Sequence, residues 1–180
     1  MQLNFQTYHI IPIQPKNGWK VCNFAVANED RLKIYFSKTL EENLTPALSN
    51  IFVTKKVKQF IDKEEYLFTL IENETRKLVA LIYIKAIDWI KKQGEFAYAI
   101  DYNFEGKGLT TEAVKQLSYY AFKILGLETL QIIVHKSNVG SLKVAENNNF
   151  TWVKTLKNEF TPPNGKPLNM ELYELYNKIK

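Results

Sequence analysis

Apolar side chains in the first third of the chain recur mostly at the three- and four-residue spacing of amphipathic helices. Between about residues 16 and 36, the pattern is interrupted at Asn28-Glu29-Asp30, which resembles a new N-cap. We therefore predict two short helices there. A second apolar stripe, with lysines opposite, predicts a helix over 51–63. Residues 5–13 are predicted to be extended, because prolines in and beside this stretch disfavour a helix.

The pattern then changes to β-prone runs and later to alternating strands and helices. Short turns join the three predicted strands at 66–71, 77–87 and 94–101, which favours antiparallel neighbours. The second half predicts helices at 109–125 and 138–147, and strands at 129–134, 150–156 and 168–176. The sequence thus predicts an α/β (α+β) fold with a mixed sheet of about seven strands.

The length and composition of the chain predict the number of domains and the cellular compartment. The chain has 180 residues, of which 46% are hydrophobic, and one cysteine, Cys22. We expect a single domain over 1–180, without internal disulfides and suited to a reducing compartment. We find neither an apolar run of about 20 residues nor a signal-like N-terminus, so a cytoplasmic protein without membrane association is expected.

The net charge of +5 is almost entirely due to lysine, since Arg31 and Arg76 are the two arginines. Specific nucleic-acid recognition favours the bidentate arginine fork, and the lysines are spread along the chain. We therefore expect no nucleic-acid partner, although a basic rim that attracts an acidic small ligand stays open.

The most informative segment is a glycine loop between a strand and a long helix. Two of the chain's seven glycines, Gly106 and Gly108, precede a helix with Thr110 and Thr111 in its first turn. Unpaired amides at a helix N-terminus and the close approach that glycine permits can cradle a phosphate or pyrophosphate. Lys107 adds a cation. A plain turn before an N-capped helix is the alternative.

This loop lacks the spacing of two common nucleotide-binding motifs. Lys107 precedes the second glycine, so the loop is not a Walker loop, and Thr111 occupies the position of the third glycine in the dinucleotide motif. Downstream, Asn138 can cap a helix whose third position is Ser141. Asn138 either serves only as that cap or also contacts a ligand lying across the neighbouring strand.

Together these segments resemble the GNAT N-acetyltransferases. Residues 105–113, Glu-Gly-Lys-Gly-Leu-Thr-Thr-Glu-Ala, resemble the pyrophosphate loop that this family uses for acetyl-CoA. Asn138-x-x-Ser141, the segment 146–150 (Glu-Asn-Asn-Asn-Phe) and the turn 164–166 resemble its ribosomal-protein-alanine (RimJ/RimL-like) branch. The resemblance runs from about 94 to 173. It implies a mostly antiparallel GNAT sheet with helices on both faces.

The sequence departs from the family pattern at four positions. Glu105 replaces the leading Gln or Arg, and Thr110 replaces the closing small residue. Asn149 replaces a glycine, and we expect it to adopt the left-handed conformation. Ala145 stands where many members have a tyrosine that reprotonates the thiolate, which favours Ser141 in that role.

The resemblance implies acetyl transfer from acetyl-CoA to an amine, without a metal. The implied acetyl-CoA-binding residues are Tyr98, Ala99, Ile100, Glu105, Gly106, Lys107, Gly108, Leu109, Thr110, Thr111, Asn138 and Ser141. In this picture the pantetheine arm pairs with residues 98–100, and an amide near Ile100 binds the oxyanion. Ser141 donates a proton to the thiolate, and Glu159 and Glu95 are the candidate bases.

The first expected acceptor is a protein or peptide N-terminal amine. The alternatives are a polyamine or aminoglycoside amine, or a non-catalytic module that only binds acyl-CoA. A homodimer is compatible with the resemblance and is left open.

Overall fold

The computed structural model describes residues 1–163 and 165–178. Its strands form one sheet in the order β1-β2-β3-β4-β5-β6-β8-β7. The strands are β1 (Leu3–Phe5), β2 (Tyr8–Pro12), β3 (Tyr66–Glu72), β4 (Leu78–Asp88), β5 (Gln93–Ile100), β6 (Thr129–Val134), β7 (Thr151–Phe160) and β8 (Leu168–Tyr176). The helices are α1 (Gly18–Ala27), α2 (Glu29–Tyr35), α3 (Ser37–Glu41), α4 (Pro46–Ile61), α5 (Leu109–Lys123) and α6 (Val139–Asn147).

The chain falls into two compact units. The first contains Met1–Tyr83 and Tyr98–Glu105, and the second contains Ile84–Ala97 and the described residues from Gly106 onward. No helix in the described part of the chain combines the length and apolar character needed to cross a membrane.

The first unit is built on β3, a strand whose six leading residues are all buried. β2 pairs antiparallel with both β1 and β3. Helices α1 and α4 pack against each other and bury Val21 and Val53 completely. The start of α4 is fixed locally, because Pro46 occupies its first turn and the Thr45 hydroxyl accepts a hydrogen bond from the Leu48 amide.

The second unit carries the β-α-β-α part of the chain. β5 and β6 are parallel, and β8 pairs antiparallel with both β6 and β7. Alternate residues of β6 are buried, as expected for a strand with one face toward helices. Helix α5 buries a stripe that includes Ala113, Val114 and Leu117. The ring of Phe96 on β5 meets Phe150, just beyond α6, edge to face.

The predicted fold class is confirmed, while several element boundaries were wrong. The strand expected over 5–13 is β2 (Tyr8–Pro12), and β1 (Leu3–Phe5) precedes it through a turn at Gln6, whose φ is +49°. The sheet therefore has eight strands where about seven were expected. The helix expected over 51–63 begins five residues earlier, because Pro46 starts the helix that its neighbours continue. The turn expected at 164–166 falls partly on Asn164, which lies outside the described residues.

Candidate functional site

The loop before α5 has the backbone that only glycine adopts freely. Gly106 and Gly108 have φ of +70° and +72°. A Cβ added at either position would meet no heavy atom within 4 Å. Glycine is therefore needed for the conformation, not to avoid the surrounding protein. The space beside both α-carbons is open to a ligand.

The N-terminus of α5 lacks a side-chain cap. Gly108 is the N-cap, and no side-chain hydrogen bond caps it among the described residues. The first helical hydrogen bond runs from the Glu112 amide to the Gly108 carbonyl, at 3.0 Å. The amides of residues 109–111 therefore precede the helical ladder, at the positive end of the helix dipole. This arrangement suits a phosphate or diphosphate group.

The side chains of this loop differ in exposure. Gly106, Lys107 and Gly108 are exposed, whereas Leu109 and Thr110 are 2% and 8% exposed. Because Thr110 is buried without a ligand present, its side chain packs in the protein interior and does not occupy the open space beside the glycines. The replacement of a small residue by Thr110 thus leaves room at the loop.

The carboxylate of Glu105 is paired. Its oxygen accepts a hydrogen bond from the guanidinium of Arg31 on α2. Both side chains remain a little under half exposed, at 43% and 44%. The negative charge that replaces the usual Gln or Arg at the head of the loop is thus balanced by one of the two arginines in the chain. The sequence shows the departure but not its compensation.

Asp101 anchors the end of β5 and is a residue that sequence reasoning missed. It is completely buried, and its Oδ1 accepts a hydrogen bond from the Asn103 amide at 2.9 Å. Its Oδ2 lies 3.0 Å from Nζ of Lys77. The neighbouring Tyr102 amide donates to Oδ1 of Asn28 at 3.0 Å. In the sequence, the only sign of this role was an aspartate placed directly after an apolar strand.

The pKa of Asp101 reflects opposing effects. Burial raises the pKa of this carboxyl, but the hydrogen bond from the Asn103 amide and the Lys77 ammonium together hold it below its usual value. Asp101 is therefore an ionised group whose interactions belong to the folded state.

Helix α6 has both predicted caps. Oδ1 of Asn138 accepts a hydrogen bond from the Ser141 amide at 3.1 Å, which confirms Asn138 as the N-cap. Asn149 has φ of +60°, which confirms the expected left-handed end. Because Asn138 supplies the cap, the half-buried Ser141 hydroxyl is not the capping group.

A buried amide connects α6 with the first turn of α5. Nδ2 of Asn148 donates to the carbonyls of Thr111 and Val144, at 3.1 and 2.9 Å. Asn148 is 7% exposed, so these bonds are shielded from water. The two sequence segments that carried the resemblance, 106–111 and 138–149, are thus joined in one unit of the structure.

The parallel ladder between β5 and β6 is short. It runs from the Gln93–Thr129 pair to the Phe96–Ile132 pair, although β5 extends to Ile100 and β6 to Val134. The carboxyl ends of two parallel strands are a common place for ligands in α/β proteins. Tyr98, Ala99 and Ile100, predicted to contact the donor, form the end of β5 and belong to the first unit.

The two candidate bases are not neighbours. Glu95 lies on β5, next to the last pair of its ladder with β6, and Glu159 is exposed on β7. These strands are three positions apart in the sheet, which is roughly 14 Å at a strand spacing of about 4.8 Å. Glu95 and Glu159 therefore cannot hold the same proton in a shared pair.

Glu95 belongs to a polar row that crosses three strands. It is opposite Gln131, which is in turn opposite Glu174. Nε2 of Gln131 donates to Glu174 at 2.6 Å, and Nζ of Lys85 lies 2.9 Å from Glu95. The Glu95 side chain is only 16% exposed. Lys85 thus pairs with a mostly buried carboxylate.

Comparison with known proteins identifies one domain family. The model of the acetyltransferase (GNAT) domain matches residues 19–151. Acetyltransferase PseH of Campylobacter jejuni is 31% identical over 143 residues, which cover 73% of this chain and 84% of that protein. The matched domain residues include the glycine loop and the segment after β6.

Other matches cover less of the chain or show a similarity of fold alone. Spermidine N(1)-acetyltransferase of Escherichia coli K12 is 31% identical over 80 residues, 44% of this chain and 43% of that protein. The chain spans about half the length of several curated relatives that it matches, between 43% and 60% of each. A solved structure of RimL, the ribosomal L7/L12 alpha-N-protein acetyltransferase in complex with coenzyme A, has a TM-score of 0.88 at 15% identity and covers 98% of both chains.

Asp101 predicts a specific pH dependence of stability. Since its pKa is depressed in the folded state, its contribution is present above the unfolded value of about 3.9 and is lost as the pH falls below it. Thermal unfolding of Asp101→Asn should therefore change less between pH 5 and pH 3 than that of the wild type. Exposed Asp62→Asn should keep the wild-type slope. Equal slopes for wild type and Asp101→Asn would refute this role.

Proposed function

The chain belongs to the GNAT acetyltransferase family, and we propose that it transfers an acetyl group from acetyl-CoA to a primary amine. One observation carries the proposal. The open, positively polarised N-terminus of α5 follows two glycines in the left-handed region, and no side chain caps it among the described residues. Such a terminus can receive the diphosphate of coenzyme A through its backbone amides.

The residues proposed to hold the diphosphate are those of the loop and the first turn. The negative charge of a diphosphate is spread over several oxygens. These oxygens are proposed to accept hydrogen bonds from the backbone amides of Gly106, Gly108 and Leu109–Thr111, so the sum of the contacts matters more than any one side chain. Lys107 adds an exposed cation. The Arg31–Glu105 pair supports binding, because an uncompensated carboxylate at this position would repel the diphosphate.

The remainder of the donor is proposed to follow β5. The pantetheine arm carries amides that can pair with an exposed strand edge, and Tyr98, Ala99 and Ile100 are the residues proposed for this pairing. The short β5–β6 ladder supports that proposal, because β5 extends beyond its last pair with β6. A backbone amide near Ile100 would then stabilise the oxyanion of the tetrahedral intermediate.

The proposed chemistry is a direct attack within a ternary complex. The neutral amine forms a C–N bond to the thioester carbonyl, and the C–S bond breaks as the intermediate collapses. The amine nitrogen loses one proton to a base, and the coenzyme A thiolate gains one from Ser141. The base then releases its proton to bulk water, and bulk water returns one proton to Ser141. No net proton is gained or lost, and the acetylated amine and the free thiol are the products.

Glu95 is the first candidate for the base. It lies one residue before the last β5–β6 pair, whereas Glu159 is three strands away on β7. Nζ of Lys85 lies 2.9 Å from the Glu95 carboxylate and orients it, which suits a group that accepts a proton directly or through a water. A carboxylate is a weak base. It therefore suits an amine that already loses its proton near neutral pH.

A protein or peptide N-terminus is the proposed acceptor for that reason. An α-amine has a pKa of about 8, against about 10.4 for a lysine or alkyl amine. A larger fraction of an α-amine than of an alkyl amine is therefore neutral at pH 7. The similarity to the ribosomal-protein acetyltransferase supports the same acceptor. New protein N-termini and acetyl-CoA are both cytoplasmic, which is the location we propose.

A polyamine is the second candidate acceptor. The similarity to spermidine N(1)-acetyltransferase favours it, as does the presence of two carboxylates, Glu95 and Glu174, in one polar row. A panel of N-terminal peptides and polyamines with radiolabelled acetyl-CoA distinguishes these acceptors. Coenzyme A binding with no transfer to any amine would leave only a non-catalytic acyl-CoA-binding protein.

The glycine loop predicts a loss of donor binding without unfolding. Gly108→Val should abolish detectable coenzyme A binding in calorimetry, because its side chain fills the open space beside the amides. Gly126→Val is a matched control, since Gly126 has φ of +73°, has equally open surroundings and lies beyond the other end of α5. Both variants should lose similar stability, about 1 kcal/mol or more. Equal coenzyme A affinity in the two variants would contradict the proposed loop.

Ser141 predicts a defect in turnover alone. Because Asn138 supplies the helix cap, Ser141→Ala should leave stability within about 0.5 kcal/mol and coenzyme A affinity unchanged, while kcat falls. Asn138→Ala should instead cost about 1 kcal/mol of stability through the lost cap. Unaltered kcat in Ser141→Ala would exclude it as the proton donor.

The candidate bases can be separated by isosteric substitution. Glu95→Gln should lower kcat by about 10²-fold or more. Glu159→Gln should change kcat by no more than about threefold, since Glu159 is exposed on a distant strand. The reverse order of the two effects would assign the base to Glu159.

A further inference from the structure

A polar cavity in the first unit has no role in the proposed reaction. Its volume is about 350 Å³, near the lower end of ligand pockets. It lies among β1, β2, the end of β3 and the segment leading into α1. It is lined by Gln2, Asn4, His9, Ile11, Gln14, Lys16, Asn17, Lys20, Ile71, Asn73 and Arg76. None of these residues belongs to the glycine loop or to α6.

Three cations line this cavity, and no Asp or Glu is among its lining residues. Lys16 and Lys20 lie on either side of the start of α1, and Arg76 lies in the turn between β3 and β4. Nζ of Lys20 donates to the carbonyl oxygen of Arg76 at 2.7 Å, which holds these two residues together. The cavity therefore concentrates positive charge that its own walls do not neutralise.

The neighbouring positive charges affect the pKa of Lys20. Burial lowers the pKa of its ammonium, and the charges of Arg76 and Lys16 lower it further. All three effects disfavour the charged form. A bound anion would oppose two of them directly, because it would screen Lys20 from both neighbouring cations.

The neutral wall of the cavity is rich in hydrogen-bonding groups. His9 is only 5% exposed, and its Nδ1 lies 2.5 Å from Oδ1 of Asn73. Asn17 is 3% exposed, and its Oδ1 accepts a hydrogen bond from the Gln14 amide at 2.7 Å. These contacts fix two buried polar side chains at the base of the charged region.

We propose that this cavity binds a small phosphorylated anion with at least two negative charges. The guanidinium of Arg76 matches a phosphate geometrically, and the two ammonium groups supply further charge. A polyamine acceptor would be repelled by the same three cations. A cavity of about 350 Å³ lined by three cations suits a small molecule better than a nucleic acid, which needs an extended basic surface. This inference does not depend on the proposed acetyl transfer.

Calorimetric titration with inorganic pyrophosphate tests the proposal. The glycine loop is itself proposed to bind a diphosphate, so the titrations use protein carrying Gly108→Val. In that background we expect saturable binding, a rise in the unfolding temperature, and at least a tenfold loss of affinity in Lys20→Met and in Arg76→Met. Lys157→Met, an exposed position on β7, is the matched control and should keep the parent affinity.

The outcomes separate this site from the acyl-donor loop. Absence of binding, or equal affinity in all three lysine and arginine variants, would overturn the proposal. Coenzyme A competing with pyrophosphate for the Lys20-dependent site would also overturn it, because the cavity would then serve the donor. Failure of coenzyme A to bind the wild type would refute the donor loop alone and leave the pyrophosphate result intact.

A lipid source of the phosphate is tested separately. Vesicles containing phosphatidic acid should not bind the protein in a way that depends on Lys20 or Arg76, since these cations line a small cavity of about 350 Å³. Lys20-dependent sedimentation with such vesicles would overturn the assignment to a free small molecule.

Discussion

The backbone between β5 and α5 is the constraint on which the candidate site depends. Gly106 and Gly108 end the loop in the left-handed region, and among the residues that the structure describes no side-chain hydrogen bond caps the start of α5. Most helices are capped by a Ser, Thr, Asp or Asn side chain, which uses these donors. Here Gly108 leaves them to a ligand. The buried stripe of α5 holds the helix in place, so core packing fixes where the amides point.

Electrostatic balance around this loop is achieved by residues distant in sequence. Arg31 neutralises Glu105, and Lys77 pairs with the buried Asp101 at the end of β5. The hydrogen bonds of Asn148 support the first turn of α5 within the second unit. Arg31 on α2 and Lys77, just before β4, thus neutralise two carboxylates of the first unit, while Asn148, just after α6, supports α5 through neutral hydrogen bonds. A motif that appears weakened by a carboxylate keeps its positive character.

Two parts of the molecule concentrate positive potential for different physical reasons. At α5, the potential comes from backbone dipoles and has little side-chain charge. In the first unit, it comes from three side chains around a polar cavity with no acidic residue among its lining. The first suits a ligand that lies along the backbone, and the second suits a compact anion. The excess of lysine in the composition therefore includes one organised cluster beside a generally basic surface.

The sequence alone determined the fold class, the glycine loop, the Asn138 cap and the left-handed Asn149, because these depend on local periodicity and on the conformations that single residue types prefer. It did not reveal Asp101 and Asn148 as anchors, nor the Arg31 partner of Glu105, since those contacts join residues separated by up to 74 positions. It offered Glu95 and Glu159 as equal bases, and only the strand order separated them. Turns and helix caps depend on residues that are neighbours in the sequence. Charge compensation between distant residues and the distance between two strands of a sheet depend on the folded structure.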